Sequence, residues 1–210
     1  MCGKYSIGLS SKVLQLELDL EMIHPQVTFP EAYYPTSAIP VVINAHRRNL
    51  EFFYWGFVPS WAKDIKIGRK MFNARAETLT EKPSYRNAFL RRRCLIPATG
   101  YFEWKSSENR KVPYYFSLRN EKAFFFAGLW EYWMDAAGNE VYSAAIITCP
   151  ANAIVARYHD RMPVILGLDR CWKWMEDRPP ADLQQLLVPY DPEQMIVTPV
   201  AKQADRLFEI

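Results

Sequence analysis

The apolar positions of this chain fall first into short helical stretches and then, from Cys94 onward, into a rapid series of strand-like runs. Near the start, Val13, Leu14 and Leu18 stand at helical spacing behind Ser10 and Ser11. Either serine can cap a helix over roughly Lys12–Leu20. A loop punctuated by Pro25, Pro30 and Pro35 follows. Ile39–Asn44 and Leu50–Phe57 then flank His46-Arg47-Arg48-Asn49 and read as a hairpin. A helix is predicted over Ser84–Arg92. The strand-like runs are Cys94–Ala98, Gly100–Trp104, Val112–Leu118, Ala123–Tyr132 and Val141–Thr148. Their separators, Ser106–Arg110, Arg119–Lys122 and Asp135–Asn139, have hairpin lengths and turn chemistry. Short helices are expected at Asn152–Tyr158, Asp169–Glu176 and Ala181–Leu187. Many antiparallel strands with peripheral helices predict an α+β fold whose sheet curls into a barrel-like core. With no internal repeat or linker, residues 1–210 read as a single domain.

Composition narrows the class. Half of the 210 residues are apolar and 15% aromatic, which predicts a packed globular protein. No secretory signal or membrane-spanning run is read, so a cytoplasmic monomer is expected. The cysteines at 2, 94, 149 and 171 have neither Cys-x-x-Cys spacing nor histidines at zinc-ligand spacing, so neither a metal nor another cofactor is expected. Charge is uneven. Residues 63–93 hold ten Lys/Arg against three acids, a local charge of +7 in a chain of net +3. Such a concentration suggests a polyanion-binding face, with a solvated basic helix as the plain alternative.

Four stretches carry chemistry. Removal of Met1 would leave Cys2 with an α-amine and a thiol on adjacent carbons, a 1,2-aminothiol able to close a ring on an aldehyde. The amine, with a reference pKa of about 7.7–8.0, is partly nucleophilic at neutral pH. Gly3 leaves room for close approach. Asn73 and Arg75 alternate, so in an extended segment an amide and a guanidinium point the same way and could grip a phosphate. Glu103, between Phe102 and Trp104, becomes a general acid/base if that setting is dry. His159 could transfer protons, and Arg161 has phosphate-binding geometry.

Cys2-Gly3, Trp55-Gly-Phe-Val-Pro-Ser-Trp-Ala62, Asn73-Ala-Arg-Ala-Glu-Thr78, Arg93-Cys-Leu-Ile-Pro97, Gly100-Tyr-Phe-Glu-Trp104 and His159-Asp-Arg-Met-Pro163 together resemble the SRAP family (SOS response-associated peptidase domain). The resemblance implies a protein that shields abasic sites in single-stranded DNA by a thiazolidine crosslink. Cys2 would be the nucleophile and Asn73 would orient it. Glu103 would shuttle protons, and His159 would protonate the sugar ring oxygen. Arg75 and Arg161 would clamp phosphates, with Thr148 a further contact. Trp55 or Trp61, with Trp61 favoured, would stack on bases. The peptidase chemistry would serve to expose Cys2, and the replication machinery is a candidate neighbour.

The family opens Cys-Gly-Arg, whereas Lys4 stands here and offers a point charge in place of a two-point phosphate contact. The stretch from Thr198 lacks the family's Val-Asn-containing tail and reads as an altered closing strand. Two other classes stay open on the residues alone. An N-terminal-cysteine amidohydrolase of the class II glutamine amidotransferase kind would use Cys2 on an amide. A non-catalytic single-strand binder would leave it idle.

Overall fold

The computed structural model describes residues 2–21, 23–24, 26–107 and 110–200. Its twelve strands, in chain order, are β1 (Tyr5–Ser6), β2 (Ala38–Val41), β3 (Glu51–Trp55), β4 (Asn73–Arg75), β5 (Arg93–Ala98), β6 (Gly100–Ser107), β7 (Arg110–Leu118), β8 (Phe124–Met134), β9 (Glu140–Pro150), β10 (Arg161–Pro163), β11 (Ile165–Leu166) and β12 (Met195–Pro199). Four α-helices lie at the periphery: α1 (Ser11–Glu17), α2 (Pro83–Arg91), α3 (Leu168–Met175) and α4 (Pro180–Gln185). The α+β architecture with a nearly closed, barrel-like sheet is the one the hydrophobic pattern predicts.

Two sheets build it. The smaller runs β1-β6-β7-β12. In the larger, the path β11-β8-β9-β3-β2 also takes β5 alongside β8, and β4 and β10 alongside β9. Val42 and Leu95 exchange two backbone hydrogen bonds of 2.8 and 2.9 Å, which bring the end of β2 against β5 and close the ring. That departure shortens the first hairpin. Its strands pair as predicted, from Ala38↔Tyr54 to Val41↔Glu51, but Val42 has already left for β5. The connection is consequently longer than a tight turn and is held by Asn44, whose Oδ1 accepts the amides of His46 and Arg47.

The remaining differences are local. Ser10 caps α1, its hydroxyl accepting the Val13 amide. The helix expected at Asn152–Tyr158 tightens to a 3-10 turn at Val155–Arg157, begun by Asn152 Oδ1 accepting the Val155 amide. β12 closes the smaller sheet against β7, with Thr198 opposite Tyr115. The rest of that predicted closing stretch, 201–210, lies outside the described residues, as do Met1 and part of the predicted Ser106–Arg110 turn. No helix among the described residues is long and apolar enough to cross a membrane. All four cysteines are free and buried.

The basic segment does not present all its charge to solvent. Arg93 is buried, and its guanidinium donates to the carbonyls of Phe89 and Leu90 in the last turn of α2 and of Trp174 and Glu176 at the end of α3, each at 2.8 Å. These are carbonyls that a helix end leaves without internal partners, so one arginine ties two helix ends to the barrel. Arg92 is spent on the buried Glu131, 2.6 Å away. The polyanion-binding face expected of residues 63–93 therefore loses Arg92 and Arg93, and exposed positions such as Lys63, Lys66, Arg69, Lys70, Arg75, Lys82 and Arg86 remain. Because lysine cannot reproduce the planar fork, we expect Arg93→Lys to destabilise the fold by roughly 2–4 kcal/mol. A lowered denaturant midpoint at unchanged slope would read this out. An unchanged midpoint would show that the four carbonyl contacts carry no weight.

Candidate active site

The strand pairing brings the four chemistry-bearing stretches to one end of the barrel. Phe102 donates its amide to the Lys4 carbonyl, and Tyr5 lies opposite Tyr101, so the first residues run antiparallel to β6. The side chain of Cys2 has no accessible surface, and its thiol donates to the same Lys4 carbonyl over a long 4.0 Å. β4 runs parallel to β9, pairing Asn73 with Ile146, and this carries the Asn73 amide to the chain start. Asn73 Nδ2 donates to the Cys2 carbonyl at 2.9 Å, while its buried Oδ1 has no hydrogen-bond partner among the described residues.

Glu103 follows Tyr101 by two residues on β6 and so points to the same face. It is 3% exposed. Burial raises its pKa above the ordinary carboxylate range, against the opposing charges of the amino terminus and His159. Burial also pushes the Cys2 thiol well above its usual range, and the Glu103 carboxylate adds to that rise. The two groups thus sit in one dry site, each disfavouring the other's ionisation. One proton is more easily passed between them than lost from both.

His159 reaches this face by aromatic packing. Glu103 pairs with Tyr114 across β6 and β7. The Tyr114 ring packs on Tyr158 with centroids 4.5 Å apart, and Tyr158 meets Phe116 edge-on at 5.3 Å. His159 comes next in the chain. The Arg161 amide donates to its Nδ1 at 2.9 Å, so the neutral imidazole carries its proton on Nε2. The exposed Asp160 carboxylate lies 2.8 Å from the same nitrogen and can pair with it once it is protonated.

The expected DNA contacts divide. Trp61 is 60% exposed, on a loop anchored where Trp133 Nε1 donates to the Ala62 carbonyl at 2.7 Å. Arg75 is exposed at the end of β4. Trp55, by contrast, is a core residue, edge-on to Tyr5 and Phe72, with Nε1 donating to the Phe72 carbonyl. Thr148 has no accessible surface and donates to the Ala74 carbonyl. Lys4 is buried with its ammonium 4.2 Å above the Phe102 ring. Trp55 and Thr148 present no surface in this structure and Lys4 almost none, so any contact of theirs with a strand would need the fold to open there. Arg161 is held at two points by Glu77, at 2.6 and 2.9 Å, and also donates to the Thr148 carbonyl at 2.7 Å. Its charge is matched within the fold, which leaves Arg75 the freer cation.

Sequence reasoning missed Glu77, Tyr101 and the Tyr114–Tyr158 platform. Glu77 and Tyr101 lie inside motifs that were read, but their neighbours there carried the more obvious chemistry. Tyr114 gives no signal before the β6–β7 register is known. Among the described residues no group of three or more His, Cys, Asp or Glu is placed to hold a metal ion.

A barrel-like α+β fold with the first residues of the chain threaded into a buried, acid-containing site defines a narrow class. The profile of the family described as "SOS response associated peptidase (SRAP)" matches residues 1–206, and the chain belongs to that family. It is 39% identical over 201 residues to Abasic site processing protein YoaM of Bacillus subtilis, covering 93% of this chain and 88% of that one. It is 30% identical to Abasic site processing protein HMCES of Xenopus tropicalis, over 75% of this chain and 57% of that one. Among solved structures, a protein from Bacteroides thetaiotaomicron superposes with a TM-score of 0.86 at 29% identity, covering 100% of this chain and 95% of the other. A second, from Bordetella bronchiseptica, superposes at 0.83 and 24% identity over 95% of this chain and 100% of that one, a likeness of fold.

The buried carboxyl has a consequence for stability. With its folded pKa raised, Glu103 binds a proton more tightly in the folded than in the unfolded state. Its contribution is therefore most favourable below the unfolded carboxyl pKa of about 4.3 and is lost as pH rises through the folded value. We expect Glu103→Gln to be the more stable protein at neutral pH, by about 2–4 °C in Tm for roughly 1 kcal/mol. That advantage should shrink as pH falls. Thermal melts across pH check this, and a less stable variant at pH 7 would show that its partners outweigh burial.

Proposed function

We propose that this protein captures abasic sites in single-stranded DNA through Cys2 once Met1 is removed, leaving a thiazolidine DNA–protein crosslink. The observation that carries this reading is the anchoring of the chain's second residue inside the fold, by Asn73 on its carbonyl, in the same dry site as Glu103. A terminal cysteine without a task would fray into solvent. The relatives' name, abasic site processing protein, agrees with this chemistry.

The ring-opened deoxyribose offers an aldehyde at C1′. Asn73 fixes the backbone of Cys2, so amine and thiol approach the same carbon, a gain from orientation. The high pKa of the buried thiol keeps it protonated until a base takes its proton, and Glu103 is the base at hand. His159, acting as an imidazolium with Asp160 beside its Nδ1, gives a proton to the sugar ring oxygen as the ring opens and is left neutral. Trp61 supplies a stacking surface for a neighbouring base, a contact worth about 1–3 kcal/mol and tolerant of sequence. Arg75 and the exposed lysines and arginines of residues 63–86 follow the phosphates. The peptidase activity in the family's description is self-processing that frees Cys2.

A denaturing gel tests the reading directly. Purified protein should form a stable adduct with an abasic single-stranded oligonucleotide and none with the intact strand. Cys2→Ala should form no stable adduct, and Cys2→Ser at most an imine that needs reductive trapping. A full yield of unreduced adduct from Cys2→Ala would sink the mechanism. In a separate measurement, Arg75→Ala should weaken non-covalent binding to all sequences alike. It should also flatten the log–log salt plot by about 0.7, the loss of one phosphate contact. An unchanged slope would place Arg75 away from the strand.

A further inference from the structure

Beside Cys2 stands a buried polar group to which that reaction gives no role. Tyr101 has no accessible surface, and its hydroxyl has no hydrogen-bond partner among the described residues. Leaving a hydroxyl in that state costs about 1–3 kcal/mol, so a functional or structural reason is owed. The ring cannot swing away to find a partner. It stacks on Phe116 at 5.0 Å and 15°, and Phe126 meets it edge-on at 6.1 Å. Tyr101 shares a face of β6 with Glu103, and the charges bearing on its hydroxyl are those of Cys2, Glu103 and Cys149. The Cys2 thiol does not use it, donating instead to the Lys4 carbonyl. A fixed donor thus stands on the face of β6 that carries Glu103, within the field of the Cys2 thiol, and the described residues supply it no acceptor. On the reading of Cys2 given above, the acceptor that arrives there is the oxygen on C1′ of the opened sugar.

We propose that Tyr101 is a further catalytic residue of the crosslinking reaction, its hydroxyl donating a hydrogen bond to the C1′ oxygen as the aldehyde becomes a carbinolamine and then loses water. The amine lone pair forms the N–C1′ bond while the carbonyl π pair moves onto oxygen, and a nitrogen proton passes to that oxygen. The Glu103 carboxyl gives a second proton, the C–O bond breaks, water leaves, and the nitrogen pair forms the C=N bond. The thiol proton then goes to Glu103, replacing the one it gave, and sulfur bonds to C1′ to close the ring. Throughout, Tyr101 keeps its own proton. Burial raises its pKa well above the ordinary phenol value, which makes it a lasting donor and a poor acid. A preset donor aimed at developing negative charge is the arrangement that stabilises such transition states.

Tyr101→Phe removes the hydroxyl and keeps the ring. Under single-turnover conditions with the abasic oligonucleotide, we expect crosslinking to slow by about 10–100-fold, the scale of losing one such donor. Affinity for the intact strand should stay the same, and Tm should be equal or higher, since a hydroxyl without a partner stabilises nothing. Tyr5→Phe is the comparison, because its buried hydroxyl also lacks a partner among the described residues and also feels Cys2, together with Tyr33 and Cys94, but not Glu103; it separates the pairing with Glu103 from mere nearness to Cys2. A Tyr101→Phe rate within twofold of wild type would overturn the proposal. So would an equal slowing in Tyr5→Phe, or a lowered Tm, which would reveal a structural bond. Wild-type protein that forms no adduct would overturn both this and the reading of Cys2, whereas equal rates would remove Tyr101 alone.

Discussion

Two hydrogen bonds between Val42 and Leu95 turn an open sheet into a ring, and β9, which positions two residues of the candidate site, is a strand of that ring. With β2 against β5, the order β5-β8-β9-β3-β2 returns on itself and no strand of that circuit ends in an unpaired edge there. β9 becomes a spine: its middle meets β3, its later part β4, and its end β10. Asn73 is delivered by the second of these junctions and Arg161 by the third. β9 thus positions Asn73 and Arg161, while β6 of the smaller sheet carries Glu103 and holds the Cys2 segment, so the site's parts come from two sheets and from segments far apart in sequence.

The sequence made much of this legible, for reasons that can be named. Alternating apolar runs with turn residues between them defined β5 to β9, because each buries at least one face and strand period is strict. The short bridge at Val42 was not legible, since a single long-range pair leaves no periodic trace. The candidate site was readable where a residue type is chemically special: a cysteine beside the start, a carboxyl between aromatics, a histidine before an arginine. It was not readable where burial decides. Nothing in Trp55-Gly-Phe-Val-Pro-Ser-Trp61 tells which tryptophan fills the core and which reaches solvent, and one alternation step separates a phosphate contact from a buried Thr148.

Charge tells a related story. The net count of a segment says little until each cation's partner is known. Arg92 has Glu131, Arg93 has four carbonyls, and Arg161 has Glu77 and Thr148. In each case the planar guanidinium fork is used as a structural bracket. What remains outward on residues 63–86 is a set of exposed cations, of which Lys66 and Arg69 have partners within the fold.

The burial of the Cys2 sulfur has another consequence, which concerns time rather than rate. Peroxides and soluble electrophiles attack the thiolate, and they must reach it. A thiol without accessible surface, held protonated by its dry surroundings and a neighbouring carboxylate, is invisible to most of that chemistry. On the proposed reading Cys2 is the bond-forming residue, and a thiol already oxidised is lost to that task. Shielding of this kind gives the thiol a shelf life.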